Sequence, residues 1–314
     1  MTKSTPGAPA EGPGPAWLAV SVQIPPAGET HLLVEALRSK GGQGLERVPT
    51  GARIRAYFPE RASPERLIEE LKAAVRAATS LRDPWLVWER VAEADLQSQW
   101  ARNLERRIIS SGIRIIPSDS PAPTSPDSHG EDGEVHDAGE GIAIHLHPGP
   151  SFGEGRHPTT RLALRLLEDA VQRDSSVLDV GTGSGILAIA AAHLGARQVE
   201  AVEGAPRAAA HARNNVDLNR LQGRIRVRTA WASPATLARM GPYDGATANL
   251  EPPILLPLLP SLVARIRAGG WVILTGVPRG ERLALLRQVS ALHLHLEGEA
   301  REGGWWAGHF LKSG

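Results

Sequence analysis

Three glycines at alternate positions, Gly181, Gly183 and Gly185, are the residues whose type and spacing point most directly to chemistry. They lie between two largely apolar runs, which predicts a buried strand, a tight turn and a helix. Glycine lets such a turn bend sharply and approach a ligand where a Cβ would clash. The free N–H groups at the start of the helix favour an anionic or carboxylate group. Asp179, just before the turn, adds a negative charge suited to a cationic group.

The spacing of these glycines separates two kinds of ligand. A dinucleotide site has the pattern G-x-G-x-x-G, with pyrophosphate at the helix start. Here the pattern is G-x-G-x-G and position 186 is isoleucine. The next predicted strand, 199–203, ends in Glu203, and an acid at this position can accept hydrogen bonds from both ribose hydroxyls. The turn is therefore similar to the loop that binds S-adenosylmethionine (AdoMet) in class I methyltransferases, which implies AdoMet as the cofactor.

Length and composition narrow the class of protein. The chain has 314 residues, enough for two domains, and 41% hydrophobic residues. A formal net charge of +1 gives no global attraction to nucleic acid or to an anionic membrane. The absence of cysteine excludes disulfides, thiolate nucleophiles and cysteine-based metal sites. No signal peptide and no membrane-spanning run is evident, so we expect a protein in the cytoplasm. We also expect a monomer.

The N-terminal part predicts a small α+β domain. Residues 1–16 are small and polar and are expected to be a disordered tail. Between 17 and 92, alternating apolar positions and two helix patterns occur in the order β-α-β-β-α-β. This order predicts a ferredoxin-like domain, a fold that by itself says nothing about chemistry.

Residues 93–150 are predicted to be a linker. Within it, 118–141 carries seven acids and no Lys or Arg, which indicates a flexible acidic insertion. Four arginines earlier in the linker fit either a basic stripe for RNA or, as we favour, a solvated face: Arg102, Arg106, Arg107 and Arg114.

Two pairs of alternating histidines could in principle bind a metal ion. His145 and His147 share one face of a predicted strand, and His293 and His295 repeat the alternation elsewhere. Because no third ligand is evident near either pair, we predict no metal site.

From residue 151 onward, predicted strands and helices alternate, which is typical of a parallel α/β sheet. One predicted strand, 243–249, ends in Asn249, and ligands bind at this carboxyl edge in such folds. A helix is expected to end at Gly269-Gly270. The segments 292–296 and 305–311 predict a closing antiparallel pair, so that the sheet has seven strands. The expected fold class is thus α/β, a Rossmann-like class I methyltransferase domain over 151–314.

Four features together resemble the bacterial PrmA family. Residues 152–160, F-G-E-G-R-H-P-T-T, are similar to that family's F-G-T-G-x-H-P-T-T signature. Residues 178–190 match its glycine turn nearly throughout, and 248–250, A-N-L, is similar to its A-N-I. The layout of a small ferredoxin-like domain, a linker and a methyltransferase domain also agrees. The resemblance implies an enzyme that transfers methyl groups from AdoMet to lysine and α-amino nitrogens of ribosomal protein L11, and meets nucleic acid only indirectly, through the ribosome.

Carried over by position, the resemblance implies a set of site residues. Asn249 would orient the acceptor amine, because its carbonyl oxygen can do so without a full charge that would hold the amine's proton. No general base is assigned. The residues expected to contact or form the AdoMet site are Thr160, Asp179, Gly181, Gly183, Gly185, Glu203 and Asn249.

The sequence departs from the family pattern near the site. Glu154 stands where the family has Thr, Glu203 and Ala205 where it has Asp, and 251–253 reads Glu-Pro-Pro where small apolar residues are usual. These changes keep two alternatives open: a methyltransferase of the same fold acting on another protein or a small molecule, and a non-catalytic AdoMet-binding module.

Overall fold

The computed structural model describes residues 16–26, 29–47, 53–59, 63–93, 95–96, 107–110, 112–118, 141–149 and 151–314. The predicted tail 1–16 lies outside the described residues except for Ala16, and the predicted acidic insertion 118–141 does so except for its two end residues. The chain divides into two compact units, Met1–Trp100 and Ala101–Gly314.

The N-terminal unit has the predicted β-α-β-β-α-β order. Its four strands form one sheet in the order β2-β3-β1-β4, and every neighbouring pair is antiparallel. This is the strand order of a ferredoxin-like fold. Its elements are β1 Ala16–Gln23, α1 Thr30–Ser39, β2 Gln43–Arg47, β3 Arg53–Pro59, α2 Pro64–Ala78 and β4 Leu86–Ala92.

Simple patterns account for these elements. Leu18, Val20 and Val22 alternate along β1 and are fully buried in the core formed with the two helices. Side chains in a strand point alternately to opposite faces, so this spacing turns one face toward the helices. Helix α2 begins where the hydroxyl of Ser63 accepts a hydrogen bond from the Arg66 N–H at 3.3 Å, followed by Pro64, which needs no N–H partner in the first turn.

The C-terminal unit contains the predicted seven-stranded sheet, in the order β10-β9-β8-β11-β12-β14-β13. The five strands from β10 to β12 run parallel, whereas β12, β14 and β13 pair antiparallel. The elements are α3 Pro158–Ala170, β8 Ser176–Val180, α4 Ile186–His193, β9 Gln198–Glu203, α5 Pro206–Leu218, β10 Ile225–Thr229, α6 Pro234–Leu237, β11 Tyr243–Asn249, α7 Pro252–Val263, β12 Ile266–Pro278, α8 Arg282–Ser290, β13 Leu294–Glu302 and β14 Trp305–Lys312.

Part of the predicted linker belongs to the C-terminal unit. A third sheet has the order β5-β6-β7, formed by Arg107–Ile108, Ile113–Pro117 and Ile142–Leu146. Ile113, Ile115 and Ile144 are fully buried in the same core as helices α3 and α4. Two side-chain amides, Asn215 in α5 and Asn219 directly after it, hold the backbone around β7. Asn219 bonds to both backbone groups of His145, and Asn215 accepts from the His147 N–H at 2.8 Å.

The expected helix end at Gly269-Gly270 is wrong. Helix α7 ends at Val263, and β12 already begins at Ile266. The two glycines lie inside this strand, where its pairing with β11 shifts register. Gly269 has φ +73°, a left-handed backbone that glycine adopts without strain. The glycines therefore mark an irregularity in a strand and not the end of a helix.

Candidate active site at the carboxyl edge of the sheet

Asp179 lies at the end of β8, beneath the glycine turn. Its carboxylate accepts hydrogen bonds from the hydroxyls of Thr182 at 2.5 Å and Thr247 at 2.6 Å. The side chain is buried, and this burial raises the pKa of Asp179. The sequence predicts a negative charge suited to a cationic group, whereas in the structure this carboxyl group connects the turn to β11 through two hydrogen bonds.

The glycine turn is crowded by the protein itself. Gly181, Gly183 and Gly185 have φ of +73°, +57° and +86°. A Cβ on Gly183 would lie 2.4 Å from the carbonyl oxygen of Phe152, and one on Gly181 would lie 2.7 Å from a methyl of Leu250. From the sequence, we attribute these glycines to the close approach of a ligand, which a Cβ would prevent. The nearest obstacles are instead a backbone carbonyl and a side chain, brought to the turn by the fold.

Glu203 ends β9 beside the turn. One carboxylate oxygen accepts from the Gly183 N–H at 3.0 Å, and the other accepts from the Ala205 N–H at 2.9 Å. Each oxygen retains a second lone pair. The carboxylate can thus hold the turn and still accept hydrogen bonds from a vicinal diol such as ribose.

Thr160 lies in the first turn of α3, fully buried. Among the described residues, its hydroxyl has no hydrogen-bond partner. A buried hydroxyl without a partner is unfavourable by about 1–3 kcal/mol. The orientation of Thr160 therefore fits a ligand group that bonds to this hydroxyl.

Asn249 ends β11 and is half-buried, and its side-chain amide has no hydrogen-bond partner among the described residues. Two hydrogen bonds connect the next residue, Leu250, to α3 through Thr275. The Leu250 N–H donates to the carbonyl of Thr275 at 3.1 Å, and the Thr275 hydroxyl donates to the carbonyl of Thr159 at 3.2 Å. The residues next to Asn249 and Thr160 are thus linked through Thr275 of β12.

The segment 151–157 packs on the glycine turn. The Ser184 N–H donates to the carbonyl of Phe152, and its hydroxyl donates to the carbonyl of Gly153, both at 2.9 Å. The Phe152 ring lies 5.2 Å from the His157 ring, which in turn lies 4.8 Å from the ring of Trp305. This segment, which carries the F-G-E-G-R-H motif, forms one wall of the site.

Two acids absent from the family pattern lie in segments that border the site. Glu154 is held by the Gly149 N–H, and its Oε1 is buried without a partner among the described residues. Burial raises the pKa of Glu154 to about 7, although that N–H and the nearby Arg156 charge oppose the shift. Glu251 stands at the N-cap of α7, followed by Pro252 and Pro253.

All of these groups meet at one edge because parallel strands end on the same side of a sheet. The structure brings together every residue predicted for the site. It adds three threonines that the sequence reasoning missed: Thr182, Thr247 and Thr275. Thr247 was detectable in principle, since it lies two residues before Asn249 and thus on the same face of the strand.

Within the described ranges, no group of three or more His, Cys, Asp or Glu residues could hold a metal ion. Over the same ranges, no helix combines the length and the apolarity that crossing a bilayer requires.

Comparisons with known proteins identify relatives over most of the chain. A Synechococcus elongatus protein called ribosomal protein L11 methyltransferase is 34% identical over 272 residues, covering 83% of this chain and 85% of the relative. A Pelobacter propionicus protein of the same name is 31% identical over 315 residues, covering 93% and 96%. The crystal structure of a ribosomal protein L11 methylase from Lactobacillus delbrueckii subsp. bulgaricus is 28% identical, with a TM-score of 0.56, and covers 67% of this chain and 100% of its own.

The fold is that of a class I methyltransferase, and AdoMet is the methyl donor of this class. The chain is therefore an AdoMet-dependent methyltransferase. The sequence model described as ribosomal protein L11 methyltransferase (PrmA) matches residues 20–312. With a match over nearly its whole length, the chain belongs to the PrmA family.

Proposed function

We propose that this enzyme transfers methyl groups from AdoMet to lysine and α-amino nitrogens of ribosomal protein L11. The names of the relatives support this acceptor. The observation that carries the proposal is the assembly of Thr160, the glycine turn, Glu203 and Asn249 at one edge of a parallel sheet. A ribosomal protein as substrate also supports a location in the cytoplasm. A single copy of the chain supplies all of these residues, in keeping with a monomer.

The residues fit AdoMet in three ways. The partnerless hydroxyl of Thr160 and the N-terminus of α3 suit its carboxylate. The remaining lone pairs of Glu203 suit its ribose hydroxyls. The backbone of Gly181, Gly183 and Gly185 forms the floor between them, held by Asp179. When bound, AdoMet supplies a methyl group already activated by a positively charged sulfur.

The chain's own contribution to the reaction is alignment. Only a neutral amine can attack, and from a lysine pKa of ~10.4 reaching that form at pH 7 costs roughly 4–5 kcal/mol. Burial beside a cationic group lowers the pKa of the amine, and this reduces the free-energy cost of forming the neutral amine. The carbonyl oxygen of Asn249 accepts a hydrogen bond from the amine and orients it. An aspartate there would instead favour the charged ammonium.

The N-terminal unit is proposed to recognise the protein substrate, as the family layout suggests. A second candidate acceptor, another protein or a small molecule, is favoured by Glu154 and Glu251, which add carboxyl groups in segments bordering the site. Both candidates use the same AdoMet site, so the acceptor has to be identified directly.

Methyl transfer from labelled AdoMet to a mixture of ribosomal proteins tests the acceptor. We expect the label on L11, and mass spectrometry should locate it on lysine side chains and the N-terminal amine. Purified L11 with acetylated amines is the control and should remain unlabelled. Label on a different protein, with none on L11, would contradict the proposed substrate.

Replacement of Gly183 by alanine should abolish AdoMet binding, because the new Cβ would meet the Phe152 carbonyl at 2.4 Å and displace the wall of the site. Gly303→Ala is a matched control. Gly303 also has φ +57°, but no atom lies within 4 Å of its Cβ position. Isothermal titration with S-adenosylhomocysteine should find binding in the Gly303 variant alone. Equal affinities in the two variants, with both folded by circular dichroism, would refute the steric explanation.

Replacement of Asn249 by alanine should lower kcat by roughly 100-fold, in the range of one lost orienting group, while the Kd for S-adenosylhomocysteine rises only a few-fold. Asn249→Asp keeps the shape but adds a charge, and its activity should fall at neutral pH and partly recover as the pH rises. Steady-state kinetics and titration calorimetry measure the two effects. Proportional losses of turnover and affinity would argue against a role in orienting the acceptor.

Replacement of Glu154 by glutamine should make stability less dependent on pH. Because burial raises the pKa of Glu154 from 4.5 to about 7, the folded protein binds more protons than the unfolded chain between these values. This group therefore makes the free energy of unfolding fall as the pH rises through that range. The difference in thermal midpoint, glutamine variant minus wild type, should therefore be larger at about pH 8 than at about pH 5.

Glu281→Gln, at an exposed position, provides the control for that measurement and should differ from the wild type by the same amount at both pH values. If Glu154→Gln also behaves this way, Glu154 is not protonated in the folded protein near neutral pH.

A further inference from the structure

Trp231 has the largest exposed fraction among the large apolar side chains that the structure describes, 74%. A single exposed apolar residue is ordinary on a protein surface. The position of this one is not arbitrary, since it lies just after β10 at the same edge of the sheet as the active site.

The indole of Trp231 covers the backbone of Gly204. A Cβ on Gly204 would lie 2.2, 2.3 and 2.7 Å from three atoms of the indole. The ring thus occupies the space that a side chain at position 204 would fill. Gly204 directly follows Glu203, so the indole contacts the chain one residue beyond the acid proposed to hold the ribose.

The loop that carries the indole is held at both ends. The Ala230 N–H donates to the carbonyl of Glu203 at 2.9 Å. The Thr236 hydroxyl donates to the carbonyl of Trp231 at 3.0 Å, and the Ser233 hydroxyl caps α6. The backbone of Trp231 is therefore fixed relative to β9, although its ring faces solvent.

The order of the strands places Trp231 in line with the rest of the site. Along the carboxyl edge, Asn249 ends β11, the glycine turn follows β8, Glu203 ends β9 and Trp231 follows β10. Neighbouring strands are about 4.8 Å apart. A ligand with its ribose at Glu203 and its reactive end toward Asn249 extends its base the opposite way, toward β10.

We propose that Trp231 stacks on the adenine ring of AdoMet. This inference rests on the cofactor site proposed above and adds a residue that the glycine turn and its acid do not supply. Every base has a π-face, and an indole provides a broad, rigid surface for it. Since residue 204 has no side chain, the apolar contact at this point comes from Trp231.

Titration calorimetry with two ligands tests the proposal. S-adenosylhomocysteine and 5′-methylthioadenosine both carry adenine, but only the first has an amino-acid end. Trp231→Ala should weaken both by about tenfold, the size expected for loss of one base–aromatic stack. Trp231→Phe should retain most of the affinity. Trp85→Phe, at a 47% exposed tryptophan of the N-terminal unit, is the matched control and should bind both ligands as the wild type does.

Fluorescence gives a second measurement. Binding of either ligand should quench tryptophan emission in the wild type and in Trp85→Phe, and this quenching should largely disappear in Trp231→Phe. Wild-type affinity of Trp231→Ala for both ligands would overturn the stacking while leaving the cofactor site intact. A loss confined to S-adenosylhomocysteine would also overturn it, since the contact would then be with the amino-acid end. If the wild type binds neither ligand, the cofactor site itself is wrong and the inference falls with it.

Discussion

The carboxylate of Asp179 accepts two hydroxyl hydrogen bonds beneath the glycine turn, one from Thr182 within the turn and one from Thr247 on the neighbouring strand. Three glycines of left-handed backbone occur in this short stretch, and because glycine is conformationally permissive, the surrounding bonds are what hold the turn in one shape. Glu203 adds a bond to the Gly183 N–H from the other side. The turn is thus fixed by hydrogen bonds to β9 and β11.

Contacts spread outward from the turn to the rest of the site. Ser184 holds the segment that contains Phe152 and Gly153, while Thr275 connects β11 to the first turn of α3. Each of these bonds joins residues far apart in the sequence. The fold of the C-terminal unit therefore also fixes the orientation of the site residues, because polar groups of four different elements bond to one another at the sheet edge. Little adjustment is then required when donor and acceptor bind, which is the basis of catalysis by alignment.

Much of this arrangement was predictable. The strands ending in Glu203 and Asn249 have apolar patterns bounded by clear turns. The second strand of the closing hairpin lies near its expected bounds, whereas the first, Leu294–Glu302, extends well past the expected end at residue 296. Of the sheet β5-β6-β7, only the strand β7 was predicted. The strands β5 and β6 were not foreseen, since both are short and Arg114 interrupts the apolar pattern of β6. The contact between Gly183 and the Phe152 carbonyl, and that between Gly204 and Trp231, join distant segments. The local sequence pattern carries no information about which distant residues come into contact. It can therefore indicate that a position requires glycine, but not which neighbouring atom excludes a side chain there.

The most direct measurement is a crystal structure of the full chain with S-adenosylhomocysteine. The account predicts the ligand across the carboxyl edge of the sheet, with its carboxylate at the Thr160 hydroxyl, its ribose diol on Glu203 and its sulfur nearest Asn249. The glycine turn should keep the positions that Asp179 gives it. Ligand bound elsewhere, or a turn that must rebuild its bonds to Asp179 and Glu203 before the ligand fits, would contradict a preformed site.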